Sequence, residues 1–173
     1  MKHITFITGG GRSGKSRHAL SLAREYRGRR AFIATAEPFD DEMKERIEKH
    51  KQERDDSFIL TEEALGLRSA IESLPADVEV AVVDCLTVWL GNVMHRLESE
   101  KDEYLEVEPF LNILGTPPCD LIVVSNEVGM SIVPDNIMAR RFRDLCGRLN
   151  QQVAERADRV ILMVSGIPVT VKG

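Results

Sequence analysis

Gly9, Gly14, Lys15 and Ser16 stand at the spacing G-x-x-x-x-G-K-[ST], inside the run GGGRSGKS. That pattern suits phosphate. Consecutive glycines let the backbone curl until successive N–H groups point inward at anionic oxygens, and the N-terminus of a following helix adds partial positive charge. Gly9, Gly10, Gly11, Arg12, Ser13, Gly14, Lys15 and Ser16 are therefore read as a nucleotide-binding loop (a P-loop) for GTP or ATP. Lys15 is the catalytic cation reaching the β- and γ-phosphates, and the Ser16 hydroxyl is a ligand for Mg²⁺. With glycine at about 7% of residues, a chance match has odds on the order of one in a hundred. The context narrows them further, because His3–Thr8 reads as a strand and Lys15 opens a helix.

A P-loop needs an acidic partner at the end of a neighbouring strand, to hold Mg²⁺ or its waters. Asp84 closes the run Val80-Ala81-Val82-Val83 and fits that role, as metal ligand and as part of the nucleotide site. Thr35 at the end of the second strand is placed in the same site, on the carboxyl edge where ligands bind in open α/β sheets. Glu62 is assigned to the nucleotide with them, and Glu127 shares the edge.

The elements that must position these groups alternate. Continuous apolar, β-branched runs predict strands over His3–Thr8, Ala31–Thr35, Val78–Asp84, Leu121–Ser125 and Arg159–Ser165, as in a parallel sheet covered on both faces. A minor strand is expected near Phe58–Leu60, and Pro168–Val171 turns back after Gly166 as an antiparallel edge. Helical spacing covers Lys15–Tyr26 and Asp40–Arg54, then Thr61–Ser73 with Thr61 as N-cap. The longest helix is Asp135–Ala157, with Met138, Phe142, Leu145, Leu149 and Val153 as its buried stripe. Glu98–Pro118 reads as a short helix and an exposed loop. The fold class is α/β: three layers, a mostly parallel sheet, and one domain over residues 1–173.

Composition excludes several functions. The chain has 23 basic against 28 acidic residues, a net charge of −5, which argues against a nucleic-acid footprint. No apolar run approaches the roughly 18–20 residues of a membrane span. The opening MKHITFITGGG lacks a signal layout, and Cys85, Cys119 and Cys146 form no CxxC, so a cytoplasmic protein with reduced thiols is expected. Cys85 reads as a small core residue, and Trp89 and Phe142 as core in preference to ligand contacts.

Three segments go beyond a generic P-loop: TGGGRSGKSRHA from Thr8, IATAEPFDDEMKERIEKHK from Ile33, and VVSNEVGMSIVPDNIMARRFRDLCGRLNQQVAERADRVILMVSGIPVTVK from Val123. Together they resemble the bifunctional adenosylcobinamide kinase / adenosylcobinamide-phosphate guanylyltransferase family of cobalamin biosynthesis, over nearly the whole chain. The resemblance implies a RecA-like P-loop fold and a homotrimer with the nucleotide site close to a neighbouring subunit. It also implies two reactions, phosphorylation of adenosylcobinamide by ATP or GTP and then transfer of GMP from GTP to the phosphate. The family's guanylylated histidine falls on His50. Departures are Lys49 where relatives carry a second histidine, Asp84 where some have glutamate, Met130-Ser131 in place of a glycine-containing pair, and a short stretch between Leu97 and Asp120.

A solvated histidine on a charged helix (EKHKQER) is the plain alternative for His50. Against it, His50 shares the helical face of Met43 and Ile47, and an imidazole titrating near ~6.5 is substantially neutral in the cell. Among the other histidines, His18 is within reach of the phosphates or else serves packing or faces solvent, and no partner for His3 or His95 can be read from the sequence. Two rival readings compete. A P-loop kinase of another small alcohol would need Lys15 and Asp84 but not His50. A non-catalytic nucleotide-binding module would bind a protein in response to nucleotide and form no small-molecule product.

Overall fold

The computed structural model describes residues 2–37, 57–96 and 104–173. Seven strands form one sheet: β1 (Ile4–Gly9), β2 (Arg29–Ala34), β3 (Phe58–Glu62), β4 (Val78–Asp84), β5 (Asp120–Val124), β6 (Arg159–Val164) and β7 (Ile167–Lys172). Their order is β3-β2-β4-β5-β1-β6-β7, all pairs parallel except β6 with β7. The five expected main strands form within a residue or two of their expected ends, and so do the minor strand and the antiparallel edge.

Alternation along each strand divides the core between the two faces. Phe6, Ile33, Val83 and Val123 pack on one face with α2 (Leu67–Glu72), α3 (Leu86–Arg96), α4 (Val107–Ile113) and α5 (Ile137–Arg156). Ile7, Phe32, Val82 and Val124 pack on the other, against Ala19, Leu20 and Ala23 of α1 (Lys15–Ala23). Both faces are apolar because both are covered, which is why the strands read as unbroken apolar runs.

Several boundaries differ from expectation. Thr61 is not a helix cap: it lies in β3 opposite Ile33, with Glu62 opposite Ala34. The strand continues because Ile59-Leu60-Thr61 favours extended pairing, and the helix waits until Leu67. Glu63 Oε1 accepts from the backbone N–H groups of Leu65 (2.8 Å) and Gly66 (2.9 Å), and so shapes the turn between them. Helix α1 ends at Ala23, and Tyr26 beyond it donates its hydroxyl proton to Asp120 (2.8 Å). Helix α5 begins at Ile137, capped by Asn136 Oδ1 accepting from Ala139 N–H (3.1 Å). Met138 is exposed at that end and does not belong to the buried stripe, whereas Leu145, Leu149 and Val153 do.

Leu86–Arg96 is a helix that the patterning leaves unassigned, because it is apolar on most of its circumference. After residue 103, the short helix expected before Pro118 forms as α4, and Tyr104, Phe110, Leu111 and Leu114 are buried. The expected helix Asp40–Arg54, which carries His50, lies outside the described residues.

Trp89 is the largest fully buried side chain. Its ring meets Phe110 at a centroid distance of 5.2 Å, and its Nε1–H donates to Leu65 O (2.7 Å). This one residue joins α3, α4 and the turn after β3. Trp89→Ala is expected to lower stability by about 3–5 kcal/mol, through a cavity and an orphaned carbonyl. Urea unfolding checks this as a lowered midpoint at unchanged slope, and a loss under 1 kcal/mol on that scale would contradict it.

Candidate nucleotide-binding site

The loop between β1 and α1 has the backbone shape its glycines suggest. Gly9 has φ +147° and Gly14 has φ +92°. A Cβ on Gly9 would come within 2.5 Å of Met163 O on the adjacent strand, so only glycine fits there. At Gly10 and Gly11 a Cβ would meet nothing within 4 Å. Packing does not demand these two glycines; they leave the outer surface of the loop bare for an incoming group. Arg12 and Arg17 are exposed beside it, while Ser13 and Lys15 are buried.

Lys15 Nζ donates to Gly10 O (2.6 Å) and lies 3.5 Å from Ser13 Oγ, so the ammonium sits at the centre of the loop. A second support comes from the far end of the chain. Ser165 (φ +51°) and Gly166 (φ +86°) form the tight β6–β7 turn, and Gly166 N–H donates to Ser13 O (3.1 Å). The hairpin thus braces the phosphate loop from outside.

Asp84 ends β4, separated from β1 by β5 alone. Thr35 fastens the turn that follows it. Thr35 Oγ1 accepts from Cys85 N–H (2.8 Å) and donates to Cys85 O (2.9 Å), while Thr35 N–H donates to Asp84 O (3.1 Å). Asn92 Nδ2 completes the arrangement by donating to Thr35 O (2.8 Å) and Ala64 O (3.3 Å). The Asp84–Cys85 peptide is cis. Burial pushes the Cys85 thiol up to about 11, the Asp84 charge adds to this, and the nearby Lys15 charge opposes it. With β5 alone between β1 and β4, Lys15 and the Asp84 turn stand at the same end of these parallel strands, and Cys85 is a protonated thiol at neutral pH, as befits a packing residue.

A phosphate loop opposite an acidic strand end now stands in a chain with informative relatives. The model of the family described as cobinamide kinase / cobinamide phosphate guanyltransferase matches residues 5–171. The chain belongs to this family. It is 40% identical over 172 residues to the bifunctional adenosylcobalamin biosynthesis protein CobP of Pseudomonas aeruginosa, covering 96% of each chain. It is 38% identical over 181 residues to the CobU proteins of Escherichia coli K12 and Salmonella typhimurium LT2, covering 98% of this chain and 99% of each of those. Among solved structures it resembles the RadB recombinase (TM-score 0.53, 18% identity, 92% of this chain and 73% of that one). It also resembles an ATPase of a type III secretion system (TM-score 0.57, 9% identity, 95% and 52%). These two likenesses bear on the fold alone, and they agree with the expected RecA-like architecture.

Within this family member, the remaining site residues do not all converge. Ser16 is half-buried in the first turn of α1, next to Lys15. Thr35 is fully buried, and its hydroxyl is used within the protein; it fixes the Asp84 turn. Glu62 ends β3, four strand spacings from β1, or about 19 Å along the edge. It cannot sit with the phosphates. Glu127 does approach the loop: its N–H donates to Gly9 O (2.9 Å) and its Oε1 accepts from Gly129 N–H (2.7 Å). Glu37, also on the edge, is gripped by Arg96 Nη2 (2.6 Å). His18 is half-buried, with its pKa lowered by burial and then by the Arg159 charge, and its Nε2 has no hydrogen-bond partner among the described residues. His3 has a partner after all, Asp158, with Nδ1 at 3.5 Å.

Ser16 and Asp84 offer only hard oxygen donors, which suits Mg²⁺, an ion that takes most of its ligands from phosphates and water. No group of three or more His, Cys, Asp or Glu side chains arranged for a metal occurs among the described residues. No helix among them is long and apolar enough to cross a membrane.

The supports contributed by Asn92, Gly166 and Thr35 escape sequence reasoning. Asn92 bonds to Thr35, Gly166 to Ser13 and Thr35 to Cys85, in each case across 50 or more residues, and nothing local signals these contacts. Thr35→Val keeps the side-chain shape and strands the Cys85 amide. A stability loss of about 1–3 kcal/mol is expected, largely restored in Thr35→Ser. Chemical denaturation of the pair is the check; equal losses in both would mean that the hydroxyl is not the fastener.

Proposed function

We propose that this chain phosphorylates the aminopropanol hydroxyl of adenosylcobinamide with ATP or GTP, then transfers GMP from GTP to that phosphate, giving adenosylcobinamide-GDP. The observation that carries the proposal is the braced phosphate loop, with Lys15 at its centre and the Asp84 turn beside it, in a member of this family.

In the first reaction the loop amides and Lys15 hold the transferring phosphoryl group and spread its charge. Ser16 and Asp84 would hold Mg²⁺, which supplies further neutralisation of phosphate charge when bound. The bond from the acceptor oxygen to the γ-phosphorus forms as the β–γ bridge breaks, and the hydroxyl proton leaves to solvent or base. In the second reaction neutral His50 attacks the α-phosphorus of GTP, and pyrophosphate departs into the same loop. The cobinamide phosphate oxygen then displaces the imidazole, breaking the N–P bond and freeing His50. With its phosphates in the loop, a nucleotide lying along the carboxyl edge extends towards Thr35 and Glu62, which suits Glu62 to its base end. The family resemblance supports a homotrimer working in the cytoplasm.

The test is product analysis. Protein, Mg²⁺, GTP and adenosylcobinamide are incubated, and the corrinoid is followed by mass spectrometry for addition of phosphate and then of GMP. Both products are expected in sequence. A folded protein that binds GTP and leaves the corrinoid unmodified overturns the proposal. Phosphate without GMP reduces it to a kinase.

A further inference from the structure

The segment joining β5 to α5, together with the first two residues of that helix, carries apolar side chains where water would ordinarily be met by polar ones. Met130 is 81% exposed, Ile132 92%, Val133 56%, Ile137 73% and Met138 56%. Five such residues fall within nine consecutive positions, a ridge in sequence, and exposed apolar surface gathered in this way marks a binding face more often than it marks chance.

The ridge is firmly rooted, and at the candidate site. Asn126 N–H donates to Thr87 Oγ1 (2.7 Å), and Asn126 O accepts from Asn150 Nδ2 (3.1 Å). Glu127 N–H donates to the first glycine of the phosphate loop. Further out, Ser131 Oγ donates to Val128 O (2.9 Å), and Arg140 Nη1 donates to Pro134 O (2.8 Å) and Asp135 O (2.7 Å). Met130, the first exposed apolar side chain, therefore lies three positions beyond Glu127, the residue bonded to Gly9. The segment has a held shape, apolar outward, beside the phosphates.

We infer that this ridge, Met130 to Met138, is the acceptor-binding lip, and that it takes the apolar periphery of the corrin macrocycle. The inference rests on the function proposed above. A corrin is a wide ring edged with methyl groups and carboxamides, too large for a closed pocket, and its reacting hydroxyl lies at the end of a flexible arm. It needs an exposed apolar ledge near the phosphoryl donor, with polar groups interleaved. Ser131, Asp135 and Asn136 supply those between the apolar side chains. A ledge tied to Gly9 sets the ring at an arm's length from the γ-phosphate, and ordering the acceptor there lowers its KM without altering the chemical step.

The test uses the full chain with Ile132→Ser/Ile137→Ser and, as companion, Ile132→Leu/Ile137→Leu. Both positions are exposed, so neither pair should disturb folding. Three quantities are read: KM for adenosylcobinamide in the phosphorylation reaction, affinity for a fluorescent GTP analogue, and assembly mass by sedimentation. The serine pair is expected to raise the acceptor KM about tenfold. Its kcat should stay within about twofold, GTP affinity and mass should be unchanged, and the leucine pair should behave as wild type. An unchanged acceptor KM in the serine pair overturns the lip. A changed assembly mass also overturns it, by assigning the ridge to a second copy of the chain. A wild-type protein that binds the GTP analogue yet leaves adenosylcobinamide unmodified instead defeats the underlying reading of function, and the lip with it.

Discussion

Replacing Lys15 with alanine should lower kcat for phosphoryl transfer about 10²–10³-fold. The reason is positional. The ammonium is buried at the centre of the loop, 2.6 Å from Gly10 O, where it is already desolvated. A charge held there acts on developing phosphate charge at low effective dielectric and needs little rearrangement when the reaction occurs. Guanylyl transfer should fall with it, because departing pyrophosphate needs the same cation. Lys15→Arg should recover little: the guanidinium is a planar fork, larger than the point charge this loop encloses. Initial rates of both reactions at saturating nucleotide, with circular dichroism to confirm folding, are the check. A Lys15→Ala protein within tenfold of wild type in both would remove Lys15 from the mechanism.

His50→Ala should separate the two activities. Guanylyl transfer is expected to fall on the order of 10⁴–10⁶-fold, as when a covalent nucleophile is deleted. Phosphorylation of adenosylcobinamide should stay within about threefold, because no step of it uses the imidazole. GTP labelled at the α-phosphate gives a direct readout. Wild-type protein should retain label after denaturation, in a bond that acid breaks and alkali spares, as expected of a phosphoramidate, and the variant should retain none. Label that persists in the variant would move the nucleophile elsewhere. Absence of label from a GTP-binding wild-type protein would replace the covalent route with direct transfer. With Lys49 in the preceding position, no adjacent histidine can substitute and blur the result.

These two residues were legible from sequence for different reasons. The phosphate loop is a local object: strand, glycines, lysine and helix are consecutive, and the conformations at Gly9 and Gly14 follow from the absence of a Cβ. His50 was read chiefly through a family resemblance, since its spacing alone fits a solvated helix better. Glu62 shows the limit of reasoning by edge. Its place at a strand's carboxyl end was accessible, but its distance from the loop depended on β3 joining beyond β2, and no local residue pattern states that order.

The chain's local patterns determined the strands, the turn at Gly166 and the phosphate loop, because hydrophobic period, β-branching and glycine act over a few residues. Tertiary structure alone decided which groups stand together. It placed β5 between β1 and β4, so that Asp84 faces the loop across one strand. It seated Gly166 on Ser13 over a separation of more than 150 residues, and it gave Thr35 a second task, as the fastener of the Asp84 turn. Such contacts arise when separate elements bury their apolar faces together, and the polar groups trapped between them must then find partners wherever the packing has left them.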